Sequence, residues 1–393
     1  MRKLLFVILS CTLALPLSAQ MRYRVQPQAP YRSGEAWLEE MAGRNRFAWE
    51  YDADFRYIFD NREFSPSQDA LIPSGTLNTL AFIPTVGFSV QQSQRVHHRL
   101  AVGLELAHDM GSQTWAGLAT EPVAYYDAHV RTRRGLFEGL AGMFPRRFHE
   151  GEYTEAFMSG MYRDTDRIVE GLLLKWRGER FYAELGSDWM GQYGHARRER
   201  FQVMSFGRWD AAPWLALGWT GAFYHYACSD LASNVIDNHL LEPWIKMDAA
   251  RRTSWQELSL RLGALVGYQR DRAHFEDLML PVGGDLILTA RRWGIELQNE
   301  TYVGDNLLPL RGQPNPAGGV YGTDLYFRSP CYDGFYDRVQ LAWLPRLNHY
   351  LTLRLAVRAH FGREGFLGWQ QQFSLRLSLD ALRHRDTLAG RCL

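Results

Sequence analysis

Residues 47–59 read FAWEYDADFRYIF, and aromatic and charged side chains alternate along them almost without interruption. The odd-numbered positions carry Phe, Trp, Tyr, Ala, Phe, Tyr and Phe, whereas the even-numbered positions carry Ala, Glu, Asp, Asp, Arg and Ile. A period of two predicts a β-strand, because successive side chains leave opposite faces of an extended backbone. Such a strand suits a water-soluble sandwich, whose apolar face is a core, or a membrane barrel, whose apolar face meets lipid.

The same alternation recurs along the chain. It is clearest at residues 97–108, 254–269, 349–360 and 369–380, where apolar residues, mostly leucine, oppose polar and charged ones. Weaker versions lie near 78–91, 121–131, 136–144, 167–177, 179–189, 200–209, 213–226, 239–248, 278–290, 292–303 and 335–344. Together these stretches predict about 16 strands, long enough to cross a membrane at a tilt.

Short and long connections alternate between the predicted strands. The short links fall near 131–135, 176–180, 208–213, 249–254, 289–293 and 343–348. The longer polar links fall near 60–76, 108–120, 145–166, 189–199, 227–238, 269–277 and 304–334. An up-and-down membrane barrel has short periplasmic turns and long outer loops, whereas a sandwich has no reason for such alternation. The predicted fold class is therefore all-β, a transmembrane antiparallel up-and-down β-barrel with both termini in the periplasm.

Tryptophans flank the short links, as the girdle of amphipathic rings in a membrane barrel would. They are Trp176, Trp209, Trp214, Trp293 and Trp343.

The first residues, MRKLLFVILSCTLALPLSAQ, have the pattern of a secretory signal peptide. Arg2 and Lys3 form a charged start, the apolar run at 4–15 is too short to span a membrane, and Ala19 offers a cleavage point. The predicted organisation is a signal peptide at 1–19, a periplasmic lead-in with a short helix at 20–46, the barrel at 47–380 and a periplasmic tail at 381–393.

Charge and cysteine content exclude several classes of partner. The chain has 44 Lys and Arg against 43 Asp and Glu; losing Arg2 and Lys3 with the signal leaves 42 against 43, a net charge of −1. This balance gives no reason to expect a nucleic-acid partner. Cys228, Cys331 and Cys392 are too few and too widely spaced for a disulfide framework or a metal site. A single disulfide bond between Cys228 and Cys331 on the outer side is an alternative that the sequence leaves undecided.

Recognisable catalytic patterns are missing from the sequence. It contains no GxSxG, HExxH, CxxC or P-loop pattern. His97 and His98 are adjacent on a predicted strand, so they point to opposite faces and predict no shared metal site. An outer-membrane enzyme would need a triad assembled at one rim from scattered Ser, His and Asp residues. We therefore predict no catalytic residue, no metal ligand and no cofactor.

The charged faces of the predicted strands supply the candidate site, which is the lumen. Acidic residues occupy the early strands and the stretch 296–300, whereas basic residues concentrate on the last three strands. A carboxylate wall facing an arginine row would place a transverse field across a pore and separate solutes by charge. The predicted pore-lining residues are Glu50, Asp52, Asp54, Arg56, Glu105, Asp188, Glu257, Arg261, Glu296, Glu300, Arg338, Arg354, Arg358 and Arg376. Alternatively, the same charges pair with one another and fill a closed lumen.

Two stretches resemble the porin-like outer-membrane β-barrels of Gram-negative bacteria. GMFPRRF at 142–148 looks like a strand end that opens into a long loop, and ELGSDWMGQYGHARRERFQVMSFG at 184–207 is similar to a recurrent block of such proteins. The resemblance covers roughly residues 47–380, mostly as pattern, and implies a channel; porin-like barrels are often homotrimers. The chain departs from the family at its end, because many such barrels finish in an aromatic residue and this one continues through ALRHRDTLAGRCL to Leu393.

The sequence as a whole predicts an outer-membrane channel for passive diffusion of small polar or charged solutes, embedded in the lipid of a Gram-negative bacterium. An alternative is a non-conducting barrel whose outer loops, at 145–166 and 304–334, bind glycan, capsule or a protein partner. An outer-membrane enzyme and a soluble β-protein are the remaining alternatives.

Overall fold

The computed structural model describes residues 47–64, 74–111, 118–195, 197–231, 234–250, 253–274, 277–314, 321, 332–345, 347 and 350–378. The predicted signal peptide, lead-in helix and C-terminal tail lie outside these residues. Cys228 is a free thiol, and Cys331, its suggested partner, lies outside the described residues. Across the described part of the chain, no helix has the length and apolarity needed to cross a membrane.

Sixteen strands account for most of the described residues. They are β1 (Phe47–Phe64), β2 (Gly75–Ser93), β3 (Val96–Asp109), β4 (Leu118–Arg131), β5 (Leu136–Pro145), β6 (Ile168–Arg177), β7 (Phe181–Gly191), β8 (Arg200–Ala212), β9 (Leu215–Tyr226), β10 (Ile236–Asp248), β11 (Glu257–Asp271), β12 (Val282–Arg292), β13 (Ile295–Gly304), β14 (Gly334–Trp343), β15 (Leu351–Gly362) and β16 (Gly365–Ser378). Between β5 and β6 lie a 3-10 turn at Arg146–Phe148 and a short helix, α1 (Gly160–Thr165).

The strands form one closed barrel in which each strand pairs with its neighbours in sequence. The barrel closes where β1 pairs antiparallel with β16, from Asp54 opposite Ser378 to Phe64 opposite Gly368. Closure satisfies the backbone hydrogen bonds that an edge strand would leave open. The predicted fold class, an antiparallel up-and-down barrel of about 16 strands, is confirmed.

The period of two in the sequence becomes an inside and an outside. On β1, Trp49 is 77% exposed on the outer surface, whereas Asp54 is 5% exposed and faces the lumen. The outer surface carries large apolar side chains on strand after strand, among them Leu104, Leu172 and Leu297. His97 and His98 follow the same rule, because His97 is buried inside and His98 stacks on Tyr126 outside.

Two connections differ from the predicted pattern. The sequence predicts an outer loop at 145–166, but this segment folds into the lumen and forms ion pairs with the barrel wall. Its charges complement those of the wall, and a polar link does not reveal from sequence which side it takes. The last outer connection is also short, because only Arg363 and Glu364 separate β15 from β16.

The turn between β12 and β13 consists of Trp293 and Gly294, whose φ angles are +56° and +78°. Two positive φ values in a two-residue hairpin match the twist of the flanking strands. Glycine adopts this conformation readily, whereas tryptophan does so at a cost. The Trp293 ring is exposed and lies against the Arg292 guanidinium, 4.0 Å from its carbon to the ring centre.

The seam between β1 and β16 is held by side chains as well as by backbone. Arg376 on β16 donates to both carboxylate oxygens of Asp54 on β1, with distances of 2.8 to 3.2 Å. Arg147 also contacts Asp54 at 2.5 Å. Since all three side chains have little exposure, the pair is shielded from competing water.

Asp54→Asn should therefore destabilise the barrel by about 3–5 kcal/mol, because it removes the counter-charge of the buried Arg376 guanidinium and leaves the half-buried Arg147 with the counter-charge of Asp52. The measurement is the temperature at which the folded, heat-modifiable band is lost on gels. The matched control is Glu63→Gln on the same strand, whose carboxylate pairs with Trp369 at an exposed position. Equal melting temperatures for the two variants would contradict the assignment.

Candidate functional site

The lumen contains a charged segment, residues 146–167, which we call the inner segment. It leaves β5 through the 3-10 turn and returns to β6 after α1. Ser159 caps α1 by accepting a hydrogen bond from the Tyr162 backbone amide at 3.2 Å. Side chains of the inner segment form ion pairs with the barrel wall on several sides. The segment therefore crosses the lumen and does not lie along one strand.

The start of the inner segment is basic and binds acidic strands. Arg146 donates to Asp188 on β7 and to Asp166 near the end of the segment, both at 2.7 Å. Arg147 reaches Asp54 and, at 3.5 Å, Asp52 on β1. These contacts tie the segment to opposite parts of the wall.

The middle of the inner segment is acidic and binds basic side chains. Glu150 lies 3.1 Å from Lys175 on β6, and Glu152 lies 3.1 Å from Lys246 on β10. Glu155 lies 3.3 Å from Arg338 on β14. Three carboxylates in six residues thus find cations on three different strands.

The end of the inner segment returns to mixed charge. Asp164 on α1 accepts from Arg56 on β1 at 2.6 Å, and Arg167 pairs with Glu105 on β3. Tyr162 donates to Asp188 at 3.2 Å, which joins the end of the segment to the carboxylate that also holds its start.

Electrostatics keeps the acidic middle ionised. Burial alone would raise the pKa of Glu155, but Arg338, Arg358 and Arg163 and the Gly160 backbone amide outweigh it and lower that pKa to about 2. The pKa values of Glu150 and Glu152 are lowered in the same way: burial opposes the shift, and for both carboxyls a lysine leads the cations that outweigh it. These three glutamates of the inner segment are therefore ionised at neutral pH.

The structure places all fourteen predicted pore-lining residues on lumen-facing positions, where each is buried or half-buried. Most already have an ion-pair partner. The pairs are Glu50 with Arg99, Asp52 with Arg147, Asp54 with Arg147 and Arg376, Arg56 with Asp164, Glu105 with Arg167, Asp188 with Arg146, Glu257 with Lys246 and Arg291, Arg261 with Glu242, Glu296 with Arg291, Glu300 with Arg338, and Arg358 with Glu155.

Arg354 differs from the other predicted residues. It donates to the amide oxygens of Gln372 at 2.5 Å and Gln340 at 2.9 Å. Within the described residues it has no carboxylate at ion-pair distance. The predicted arginine row therefore separates into members that are neutralised, such as Arg376, and one that keeps its positive charge.

A solvent-open cavity remains between α1 and the wall formed by β15, β16 and β1, and its empty volume of about 380 Å³ includes part of the adjoining solvent. Its lining includes four arginines and a single carboxylate, so its net charge is positive even though Arg56 pairs with Asp164 and both Arg163 and Arg358 lie within 4 Å of Glu155. The lining residues are Arg56, Gly160, Arg163, Asp164, Arg354, Arg358, Gln372 and Ser374.

Sequence reasoning missed the inner segment, and with it Glu150, Glu152, Glu155, Arg163 and Asp164. A signal was present in HEGEYTEAF at 149–157, where acidic residues recur among aromatic ones in a link that is otherwise expected to meet water. The partner cations Lys175 and Lys246 are the only lysines after Lys3, which also marks them as unusual in an arginine-rich chain.

One cluster in the lumen has the composition of a metal site. Asp127, His129 and Glu138 place one ligand atom each within 4.8 Å of one another. However, the Glu138 oxygens already bind Lys175 at 2.7 Å and Arg177 at 3.1 Å, and His129 lies 3.0 Å from Asp127. Cations already occupy the carboxylate, so the cluster is best described as an ion-pair network.

Comparisons with known proteins find distant structural likenesses and no match in sequence. No protein-family model and no curated protein matches the sequence. Among solved structures, a loop-deletion mutant of OmpT, an outer membrane protein of Vibrio cholerae, is 10% identical, covers 85% of this chain and all of that chain, and has a TM-score of 0.49. OmpF of Salmonella typhi in complex with daunomycin is 11% identical over 84% of this chain and 97% of its own, with a TM-score of 0.46. OccD3 of Pseudomonas aeruginosa is 11% identical over 84% and 91%, with a TM-score of 0.44.

These likenesses are too distant to assign a function to this chain. The closed barrel of 16 antiparallel strands agrees with the fold implied by the sequence resemblance to porin-like barrels.

Acid should release the inner segment over a defined pH range. Because the pKa of Glu155 is lowered from about 4.5 to about 2, its ion pairs stabilise the fold above pH 4.5 and are lost as the pH falls towards 2. Thermal unfolding of wild type and Glu155→Gln across this range measures the effect. The variant should be less stable at pH 7, and the difference should shrink steadily below pH 4.5; a constant difference would contradict the role of Glu155.

Proposed function

We propose that this chain is a porin-like channel of the outer membrane through which small polar or charged solutes diffuse passively. One observation carries the proposal: a charged segment folds across the lumen of a closed barrel and leaves beside it a cavity of net positive charge. A segment so placed narrows the lumen, and unneutralised guanidinium at the narrow point would select solutes by charge.

The outer surface supports placement in a bilayer. Large apolar side chains cover it strand after strand, and exposed tryptophans, namely Trp209, Trp214, Trp293 and Trp343, lie at the short turns. A band of apolar residues bounded by aromatic rings suits a hydrocarbon layer between two polar interfaces. Lipid is therefore the proposed partner of the outer surface, and a homotrimer is the proposed assembly, which chemical crosslinking in detergent would test.

The cavity supports a preference for anions. Four guanidiniums and one carboxylate contribute to its lining, and Arg354 contacts only amide oxygens among the described side chains. A solute with a carboxylate, phosphate or sulfate group would find bidentate donors there.

The first experiment is planar-bilayer conductance of residues 20–393 refolded in detergent, under a KCl gradient. The expected result is discrete conductance steps with a reversal potential displaced from zero towards the equilibrium potential of chloride. A folded barrel without conductance would exclude the channel and favour the alternative, a non-conducting barrel whose outer loops bind glycan, capsule or a protein partner. The extensive pairing of lumen charges is the observation that supports this alternative.

Arg354→Ala combined with Arg358→Ala should move the reversal potential towards cations, because two of the four positive charges of the cavity are removed. The control is Arg272→Ala, which removes an arginine that lies outside the strands and pairs with Asp237 at 2.7 Å. An unchanged reversal potential in the double variant would remove the cavity from the proposed selectivity filter.

A further inference from the structure

A second group of buried charges lies on the lumen wall formed by β10 to β13, and neither the inner segment nor the positive cavity accounts for it. It consists of Glu242, Asp285 and Glu300, whose exposed fractions are 0%, 3% and 1%. We call it the carboxylate group. Three buried acids within four neighbouring strands need counter-charge, because an unpaired ion inside a protein destabilises the fold.

The strand register brings Glu242 and Asp285 together. Gly263 on β11 lies directly opposite Asp285 on β12. The Glu242 carboxylate from β10 lies over the same glycine, because a Cβ on Gly263 would fall 2.2 Å from Glu242 Oε1. Only a residue without a side chain leaves room for the carboxylate at this position.

Within the part of the chain that the structure describes, three carboxylate oxygens of the group have no hydrogen-bond donor. Both oxygens of Asp285 and Oε1 of Glu242 are buried and lack a donor among the described residues. By contrast, Glu242 Oε2 accepts from Arg261 at 2.8 Å, and both oxygens of Glu300 are satisfied by Tyr332 and Arg338.

The neighbouring guanidiniums do not supply the missing charge. Arg261 divides its donors between Glu242, Thr220 and the Glu152 carbonyl, and Arg338 is shared with Glu155. Three carboxylates face two shared guanidiniums, so the group has an excess of negative charge.

From these observations we propose that Glu242 and Asp285 form a binding site for a divalent cation of the calcium type. The available ligands are all carboxylate oxygens, with the Thr220 hydroxyl close by, and hard oxygen donors are what Ca²⁺ prefers. A single proton on the group would satisfy one pair of oxygens, whereas a divalent cation could be coordinated by all three oxygens and would neutralise the excess charge. Waters would complete the coordination shell.

The site differs from the cluster of Asp127, His129 and Glu138 in whether its carboxylate oxygens already have donors. In that cluster the glutamate is already held by Lys175 and Arg177. In the carboxylate group, both oxygens of Asp285 and Oε1 of Glu242 lack a donor among the described residues. The proposal does not depend on the channel, since a barrel that fails to conduct could still bind the cation.

The test is thermal unfolding of the full barrel in a zwitterionic detergent, first with EDTA and then with CaCl₂ at constant ionic strength, together with Tb³⁺ luminescence in calcium-free buffer. Wild type should show a saturable rise in its unfolding temperature and bind one equivalent of Tb³⁺, which Ca²⁺ displaces. Asp285→Asn should lose the Ca²⁺-dependent rise and weaken Tb³⁺ binding by at least about 10- to 100-fold, the loss that replacing a residue behind a metal ligand already causes. Glu242→Gln, which keeps the side-chain volume, should behave in the same way.

The matched control is Glu296→Gln, which alters a buried lumen carboxylate on β13 that already pairs with Arg291 at 2.6 Å. It should keep the full Ca²⁺ response. A Ca²⁺ response that survives in Asp285→Asn would overturn the proposal. The proposal also fails if wild type does not respond to Ca²⁺ while Asp285→Asn is more stable than wild type in EDTA, because that result indicates a shared proton.

Discussion

Pairing of opposite charges across the lumen is the interaction on which the rest of the structure depends. Closing the sheet turns one face of every strand inward, and in this chain those faces carry carboxylates and guanidiniums. Charges held away from bulk water must find partners, or their desolvation would destabilise the fold. The inner segment supplies many of these partners, so its position follows from the charge pattern of the strands.

The order of charges along the inner segment matches the order of charges around the wall. Its basic start meets the acidic residues of β1 and β7, its acidic middle meets cations of β6, β10 and β14, and its end returns to β1 and β3. A sliding or inverted segment would bring like charges together. This correspondence fixes one placement, and it also determines where positive charge is left over, beside α1.

The strands could be predicted from sequence because a period of two is a local property. The stretch 97–108, for example, lies within Val96–Asp109, and the lumen-facing set follows from the same parity. The partners of the lumen residues could not be predicted, because they depend on contacts between distant parts of the chain. Arg56 and Asp164 are separated by 108 residues. Glu242 and Asp285 escaped notice because their strands show only weak alternation and their relation depends on register across Gly263.

The seam between β1 and β16 has a consequence for folding kinetics. Asp54 and Arg376, which form an ion pair across the seam, lie 322 residues apart in sequence. All the other pairs of strands in the barrel join strands that are consecutive along the chain. Neighbouring strands can form hairpins early, since the loops that they close are short. The seam requires closure of nearly the whole chain, and it brings together residues from the first and last strands. We therefore expect its formation to limit the folding rate, so that a sheet with all hairpins formed and its two edges still open precedes the closed barrel.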